Sequence, residues 1–378
     1  MNHRDTEDTE RKLVSQARDT RHGRGIKAKF QSDLDQVAAG LIHLYKLEFK
    51  REVKNLSDPL LRWIDFRLRY IDPVPRRIFP SNKFPKKNLP SPVSSGLNSL
   101  ARLIQEGRDI NGFQSKSITK FNDFSGKRKA KRTDLLWADW GITHLHITDN
   151  PVPTDGFFMD RRCSNGESWL LFCLFGKDAV GFVDVRKHED ESIFSDRDLV
   201  VTMKESWPPF MEDFRLKGIL PSREHFTNDE VASLRRNGAA PLVSIGDEAF
   251  LGPGLGLTTA GTAFRVTEIV SEVRYWVNWL AIFTMDQDGS IQKEMARQEI
   301  VEGEFSLRIT PKGICIYEKN SAAGFYSEDE YGKKMGSLIC PDWALTSTDP
   351  IPPIESGAAS QCHAGAVLGR LANMFCEK

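Results

Sequence analysis

The chain has 378 residues, a formal net charge of zero and 40% hydrophobic residues, enough for a sizeable core and two or three domains. No apolar run reaches the roughly 18 to 20 residues of a membrane-spanning helix, and the amino terminus lacks the apolar core of a signal peptide. Six cysteines without a Cys-x-x-Cys pair indicate neither a zinc site nor a disulfide framework. We therefore predict a cytoplasmic protein with no cofactor and no membrane partner.

The charge is distributed unevenly along the chain. Residues 1–133 hold 29 Lys and Arg against 15 Asp and Glu, whereas the remaining residues hold 23 against 37. Most of the basic excess lies in residues 73–132, where 14 basic residues face three acidic ones. Because such a segment attracts polyanions, we predict that nucleic acid, most simply RNA, binds through residues 73–132. The alternatives are a protein partner, or docking of the basic half on the acidic half of the same chain.

The first third of the chain predicts an arm followed by helices. Residues 1–30 are charged and lack apolar periodicity, which indicates a disordered arm. Residues 31–132 form a basic helical region, in which apolar spacing predicts helices over 32–55, 57–72 and 94–106. Pro73 to Pro92 contains six prolines, so we predict an extended connector there and no regular element.

A short basic run closes this region. Its five basic residues are Lys127, Arg128, Lys129, Lys131 and Arg132. Dense Lys and Arg side chains displace counterions from phosphates, so the run is a candidate nucleic-acid-binding segment. No aromatic residue is interleaved, so base stacking is not predicted, and a solvated loop is the other interpretation.

Residues 133–330 predict an α+β domain. Capping patterns start helices at Ser195 and Thr227, and turn residues predict hairpins at Gly246 and Gly313. The glycine-rich stretch at 252–261 is either a phosphate-binding loop or a close-packed turn, and an apolar helix is predicted over 267–283. Residues 331–378 predict a loop-rich tail with a short helix at 364–375. The predicted fold class is α+β, with the helical N-terminal region packed on a central antiparallel sheet with flanking helices.

Three short apolar or alternating segments within 134–188 predict that central sheet. Because strand side chains alternate between faces, His144 and His146 project from one face, and Asp184 and Arg186 share a face by the same parity, as does His188 if the strand runs that far. If these polar faces coincide, three imidazoles, a carboxylate and a guanidinium gather on one surface. The loop between the first two strands carries two further basic residues that could bind a phosphate or pair with acidic neighbours, Arg161 and Arg162.

This group of side chains is compatible with three interpretations. Histidines near neutral pH transfer protons, and an arginine can hold a phosphate, so with the 2′-hydroxyl as nucleophile the group could cleave RNA without metal. Alternatively, three imidazoles and one carboxylate are ligands of the kind that bind zinc, manganese or iron. The third interpretation is a set of surface histidines beside an ordinary ion pair. No Ser or Cys stands in a nucleophile elbow.

The order of helices, sheet and basic approach resembles the ribonuclease core of RelE- and HigB-type bacterial toxins. The resemblance covers the segment around Asp134 to His188 and includes no diagnostic motif. We predict an RNA-cleaving enzyme of the toxin or defence kind, with His144, His146 and His188 transferring protons, Asp184 orienting them and Arg186 stabilising charge. The first alternative is a non-enzymatic module that binds nucleic acid or a protein. The second is a metal-dependent hydrolase that uses His144, His146, Asp184 and His188.

Overall fold

The computed structural model describes residues 21–49, 57–84, 89–119, 134–152, 158–190, 192–221, 226–237, 239–259, 261–310, 313–327, 329–341 and 344. Its helices are α1 (Arg21–Leu44), α2 (Pro59–Arg69), α3 (Ser91–Glu106), α4 (Leu135–Trp140), α5 (Asp198–Ser206), α6 (Pro208–Glu212), α7 (Asn228–Arg236), α8 (Phe264–Met285), α9 (Ser290–Arg297) and α10 (Glu330–Ile339). Its strands are β1 (Arg77–Pro80), β2 (Thr143–Ile147), β3 (Trp169–Phe175), β4 (Ala179–Lys187), β5 (Val243–Ile245), β6 (Glu248–Phe250), β7 (Phe305–Thr310), β8 (Gly313–Glu318) and β9 (Ala323–Tyr326). The fold class is α+β, as predicted.

The described residues fall into two compact units. The terminal unit lies within Met1–Leu47, Ser57–Ile64 and Glu268–Lys378, and the central unit lies within Glu48–Leu56 and Asp65–Thr267. Within the part of the chain that the structure describes, every helix is too short or too polar to cross a lipid bilayer.

The terminal unit contains an antiparallel sheet in the order β7-β8-β9. The side chain of Asp33 on α1 accepts a hydrogen bond from the backbone N–H of Leu307 on β7, at 2.9 Å. The predicted hairpin at Gly313 is confirmed, whereas β9, α9 and α10 were not predicted. The prediction that α1 begins at Ser32 is wrong, because the helix already starts at Arg21 and residues 21–30 are therefore not part of an arm. The predicted helix at 364–375 lies outside the described residues.

The central unit is built on a four-stranded sheet in the order β1-β4-β3-β2. Strands β2, β3 and β4 are antiparallel neighbours, as predicted. The prediction that the proline-rich connector forms no regular element is wrong, because Arg77–Pro80 of that connector pairs in parallel with β4. An edge strand needs backbone donors on one side only, which is why a segment that ends in Pro80 can occupy this place. The sheet is therefore mixed and not wholly antiparallel.

One face of this sheet is covered by α3. Val93, Leu97 and Leu100 of α3 share a buried apolar cluster with Leu145 and Leu171 of the sheet. The helix approaches closely at Gly96, where a Cβ atom would lie 2.6 Å from the carbonyl carbon and oxygen of Thr148. Part of the predicted helical N-terminal region thus packs on the sheet, as expected.

The opposite face is covered by α4 and α5, which share a second apolar cluster with Leu170 and Phe172 of β3. The first turn of α4 was predicted as the start of a strand. It is a helix because the Asp134 side chain accepts a hydrogen bond from the Trp137 N–H and Gly141 ends the turn with a positive φ. The predicted capping box of Thr227 and Glu230 at the start of α7 is confirmed, and so is the hairpin formed by β5 and β6.

The glycine-rich stretch packs against the end of α4. The N–H of Gly254 donates to the carbonyl oxygen of Asp139 at 2.8 Å, and the N–H of Gly256 donates to that of Ala138 at 3.3 Å. A Cβ atom at position 254 would lie 1.9 Å from the Ala138 oxygen, so only glycine fits there. These contacts agree with the close-packed turn, and the amides of Gly254 and Gly256 are already used within the protein.

Candidate functional site

The predicted polar residues lie on one face of the central sheet. Across the three antiparallel strands, His144 stands opposite Phe172, which stands opposite Asp184. In the neighbouring row His146 stands opposite Leu170, which stands opposite Arg186. Residues directly opposite one another project to the same side of a sheet. The condition on which the predicted site depended is therefore met: the two polar faces coincide, with β3 lying between the histidines and the Asp184–Arg186 pair.

A β-bulge in β4 contributes to this alignment. Phe172 pairs with Asp184, but its neighbour Cys173 pairs with Phe182, so Val183 is an extra residue on β4. The bulge allows Phe182 and Val185 both to enter the apolar cluster beneath α3, although simple alternation would place them on opposite faces. Bulges of this kind re-aim side chains next to functional sites.

The three imidazoles are close together around Phe194. The ring centroid of His146 lies 6.1 Å from that of His144 and 5.8 Å from that of His188. The Phe194 ring lies 5.1 Å from the His144 ring and 6.2 Å from the His188 ring. We call these four residues, together with Asp134, the histidine cluster. Among its imidazoles, His146 is buried, His144 is half-buried and His188 is exposed.

Asp134 is the carboxylate that pairs with a histidine of this cluster. Its Oδ2 lies 2.8 Å from Nδ1 of His144, and its Oδ1 accepts the hydrogen bond that caps α4, at 3.0 Å from the Trp137 nitrogen. Burial alone would raise the pKa of Asp134, but the positive charge of His144, the Trp137 N–H and the charge of Arg69 together lower it. Asp134 therefore stays ionised beside the His144 ring, and the contact satisfies the distance of an ion pair without the geometry of a hydrogen bond at Nδ1.

A small cleft opens beside this pair. Its volume is about 20 Å³, little more than one water molecule requires. Six of its lining residues are Arg69, Gln114, Ser115, Asp134, Trp137 and His144. The Arg69 guanidinium lies 5.9 Å from the centre of the Trp137 ring and 2.5 Å from the Asp65 carboxylate. The cleft is too small to enclose a nucleotide.

His146 is the buried member of the cluster, with 2% of its surface exposed. Burial, followed by the neighbouring His144, lowers its pKa to about 4, and the Asp160 carboxylate, 3.6 Å away, opposes that shift only in part. His146 is therefore neutral at neutral pH and out of reach of a large substrate. Of the three histidines predicted to transfer protons, His144 and His188 remain accessible for that role.

The lowered pKa of His146 predicts acid sensitivity of the central unit. In the unfolded chain the same imidazole takes up a proton near pH 6.5, so acid favours unfolding. The contribution of neutral His146 to the free energy of unfolding is fully present above about pH 6.5 and is lost as the pH falls towards 4. We expect the unfolding free energy of the native protein to fall by about 2 kcal/mol more between pH 7 and pH 5 than that of His146→Gln.

Amide exchange in β3 and β4 at the two pH values measures this difference within the central unit. His43→Gln is the matched control, because His43 is an exposed histidine of the terminal unit. An identical pH dependence of the native protein and His146→Gln would show that burial does not keep His146 neutral.

Arg186 is paired with two carboxylates. Its Nε donates to Asp184 at 2.8 Å, and its Nη1 donates to the Asp196 carboxylate. Burial would lower its pKa, but the two carboxylates raise it. A phosphate at this position would have to compete with Asp184 and Asp196, so the arrangement matches the ion-pair interpretation better than a free anion site.

The other predicted basic residues are not gathered at the cluster by their side chains. Arg161 donates from Nε to the carbonyl oxygen of Gly112 at 2.6 Å. Arg162 is exposed and donates to the carbonyl oxygen of Gly166 at 3.1 Å. The predicted basic run Lys127, Arg128, Lys129, Lys131 and Arg132 lies outside the described residues.

The metal-binding alternative would use His144, His146, Asp184 and His188 as ligands. Within the described ranges, no three His, Cys, Asp or Glu side chains converge in a way that could hold a metal ion. His144 pairs with Asp134, and Asp184 pairs with Arg186, so two of the four proposed ligands face other partners. The arrangement of these side chains does not favour the metal-dependent hydrolase.

Comparisons of the chain with models of protein families, with curated proteins and with solved structures found no match.

Five residues near the site were not predicted to belong to it: Arg69, Asp134, Asp160, Phe194 and Asp196. For Asp134 a sequence signal existed, because an Asp before Leu-Leu-Trp and a Gly after the next Trp is a pattern of helix capping. That pattern locates a helix end but does not say which histidine the carboxylate meets. The other four approach the cluster through tertiary packing.

Proposed function

We propose that this protein is a metal-independent RNA-cleaving enzyme in which His144, oriented by Asp134, and His188 transfer protons. The observation that carries the proposal is the 2.8 Å separation of Asp134 and His144 at the edge of a cleft that Arg69 also lines. A base held in place by a third group is the recurring arrangement of acid–base sites. His146 and Phe194 pack between the two accessible imidazoles and keep them apart.

The reaction follows from the chemistry of RNA. Neutral His144 accepts the proton of a 2′-hydroxyl while that oxygen attacks the adjacent phosphorus atom. The bond from phosphorus to the 5′-oxygen breaks, and His188 in its protonated form gives a proton to that oxygen. The products are a 2′,3′-cyclic phosphate and a free 5′-hydroxyl. The Arg69 guanidinium supplies positive charge near the phosphate, although Asp65 offsets part of it.

The choice of RNA as substrate is supported by charge and by chain order. The basic run at 127–132 ends two positions before Asp134 in the sequence, and residues 73–132 carry 14 basic side chains. Such a segment attracts a polyanion electrostatically. A cytoplasmic toxin or defence role is part of this proposal. In that case, expression of the native protein would arrest growth and expression of His144→Ala would not.

Cleavage and binding are measured separately to test the proposal. The native protein and the double variant His144→Ala/His188→Ala are incubated with a mixed-sequence RNA in excess EDTA. The native protein should cleave the RNA into fragments. The double variant should bind the RNA with the same affinity as the native protein but leave it intact. Equal binding without cleavage by the native protein would favour the non-enzymatic nucleic-acid-binding module. Cleavage that EDTA abolishes would favour the metal-dependent hydrolase.

A further inference from the structure

We infer that Arg235 is a positioning residue for the histidine cluster. It fixes the positions of Asp134 and Phe194 relative to each other, and these two residues contact His144. This inference rests on the proposed function for its kinetic consequence, but its structural consequence can be measured without RNA. Arg235 lies on α7, and 4% of its side chain is exposed. Its side chain donates to Asp139 and to the backbone of Phe194, so its influence on the histidines passes through these two residues.

The first intermediary is Asp139. The Arg235 Nε donates to the Asp139 carboxylate, and both side chains are 4% exposed. Asp139 belongs to α4, the short helix that Asp134 caps. A helix of one to two turns has little stability of its own, so its placement depends on tertiary contacts. The position of Asp139 is further stabilised by Gly254, whose N–H donates to the Asp139 carbonyl oxygen.

The second intermediary is Phe194. The Arg235 Nη1 donates to the Phe194 carbonyl oxygen at 2.6 Å. The Phe194 ring packs against His144 and His188, and lies 6.1 Å from the Phe172 ring. The Arg235 guanidinium thus binds both α4, which carries Asp134 at its start, and the backbone of Phe194, whose ring lies between His144 and His188. Its planar fork suits two such bonds in fixed directions, which a lysine ammonium does not.

A purely stabilising ion pair would behave differently from a positioning residue. Replacing both members of a buried ion pair by apolar residues of similar volume is often neutral for stability. The double variant Arg235→Met/Asp139→Leu should therefore fold, but it loses the donor to Phe194 and the directed bond to α4. If Arg235 only stabilises, this variant should retain the native site. If Arg235 positions the site, the Asp134–His144 contact should loosen although the fold persists.

The readout is the titration of the Asp134 carboxyl by carbon NMR, together with single-turnover RNA cleavage. In the native protein the pKa of Asp134 is lowered, because His144 and its other partners outweigh the effect of burial. In Arg235→Lys and in Arg235→Met/Asp139→Leu, that pKa should rise. The single-turnover rate at saturating protein should fall roughly 10²-fold, with little change in the protein concentration that gives half of this rate, because a misplacement of about 1 Å has an effect of this size.

Arg76→Lys is the matched control. Arg76 is a buried arginine of the same unit that donates to the carbonyl oxygens of Gly176 at 2.9 Å and Asp72 at 2.8 Å. It should leave the Asp134 titration unchanged. A native Asp134 titration in the folded double variant would overturn the inference. If the native protein cleaves no RNA, the proposed function fails, while the Asp134 titration alone still decides whether Arg235 positions the site.

Discussion

Replacing His144 with alanine is expected to lower the single-turnover rate of RNA cleavage roughly 10²- to 10⁴-fold, the usual contribution of a positioned general base. The physical reason is that His144 is the accessible imidazole whose ring is held by a carboxylate, at 2.8 Å from Asp134. Under the proposed function, loss of this ring removes the proton acceptor, whereas Arg69 and the basic segment are unchanged, so RNA binding should persist. The rate near neutral pH in EDTA, with protein in excess over a labelled RNA, measures the effect.

Two further variants make this test specific. Asp134→Asn keeps the shape of the side chain and its capping oxygen but removes the charge, so it should also slow cleavage while α4 remains formed. His43→Ala should have no effect, because His43 is an exposed histidine of the terminal unit. If both His144→Ala and His43→Ala cleave RNA at the native rate, His144 is not the general base.

Replacing Asp139 with alanine should destabilise the central unit by about 3–5 kcal/mol, the usual cost of leaving one member of a buried ion pair without its partner. Asp139 and Arg235 are each 4% exposed. Burial raises the pKa of Asp139, and the charge of Arg235 opposes this effect. In Asp139→Ala the buried guanidinium keeps its bond to the Phe194 carbonyl but loses its counter-charge. Amide exchange in β3 and β4 measures the loss within this unit.

Glu212→Ala is the control for this prediction. Glu212 forms an ion pair with Arg215 at 2.5 Å, but its side chain is 44% exposed. Solvent screens such pairs, so its removal should change the amide exchange little. Equal effects of Asp139→Ala and Glu212→Ala would show that burial does not distinguish the two pairs.

Much of the local structure was predictable because it depends on near neighbours in the sequence. The capping box of Thr227 and Glu230 and the hairpin at Gly246 both require residues only a few positions apart. The strands β2 and β4 followed from alternating apolar and polar residues, and β3 followed from a continuous apolar run. The proline-rich connector was different, because its strand β1 exists only through pairing with β4, about a hundred residues later in the chain. Composition alone favours a loop there.

The site was predictable only in part for the same reason. Alternation correctly placed His144 with His146 on one face of β2, and Asp184 with Arg186 on one face of β4, but only the pairing with β3 shows that these two faces coincide. The ion pair of Asp184 with Arg186 was among the interpretations, but the contacts of Asp196 with Arg186 and of Asp134 with His144 were not predicted, because they depend on tertiary packing. Burial was equally hidden, since α5 covers part of this face and no local pattern shows that His146 is enclosed.

The central claim is that the histidine cluster moves a proton from a 2′-hydroxyl of RNA without metal. A DNA oligonucleotide with one ribonucleotide tests it most directly, in EDTA, with the product ends identified by mass spectrometry. The account predicts cleavage only after the ribonucleotide, leaving a 2′,3′-cyclic phosphate and a 5′-hydroxyl. Cleavage of an all-DNA control, or products with a 5′-phosphate, would contradict it. Failure to cleave either this oligonucleotide or single-stranded RNA of any sequence would also contradict it.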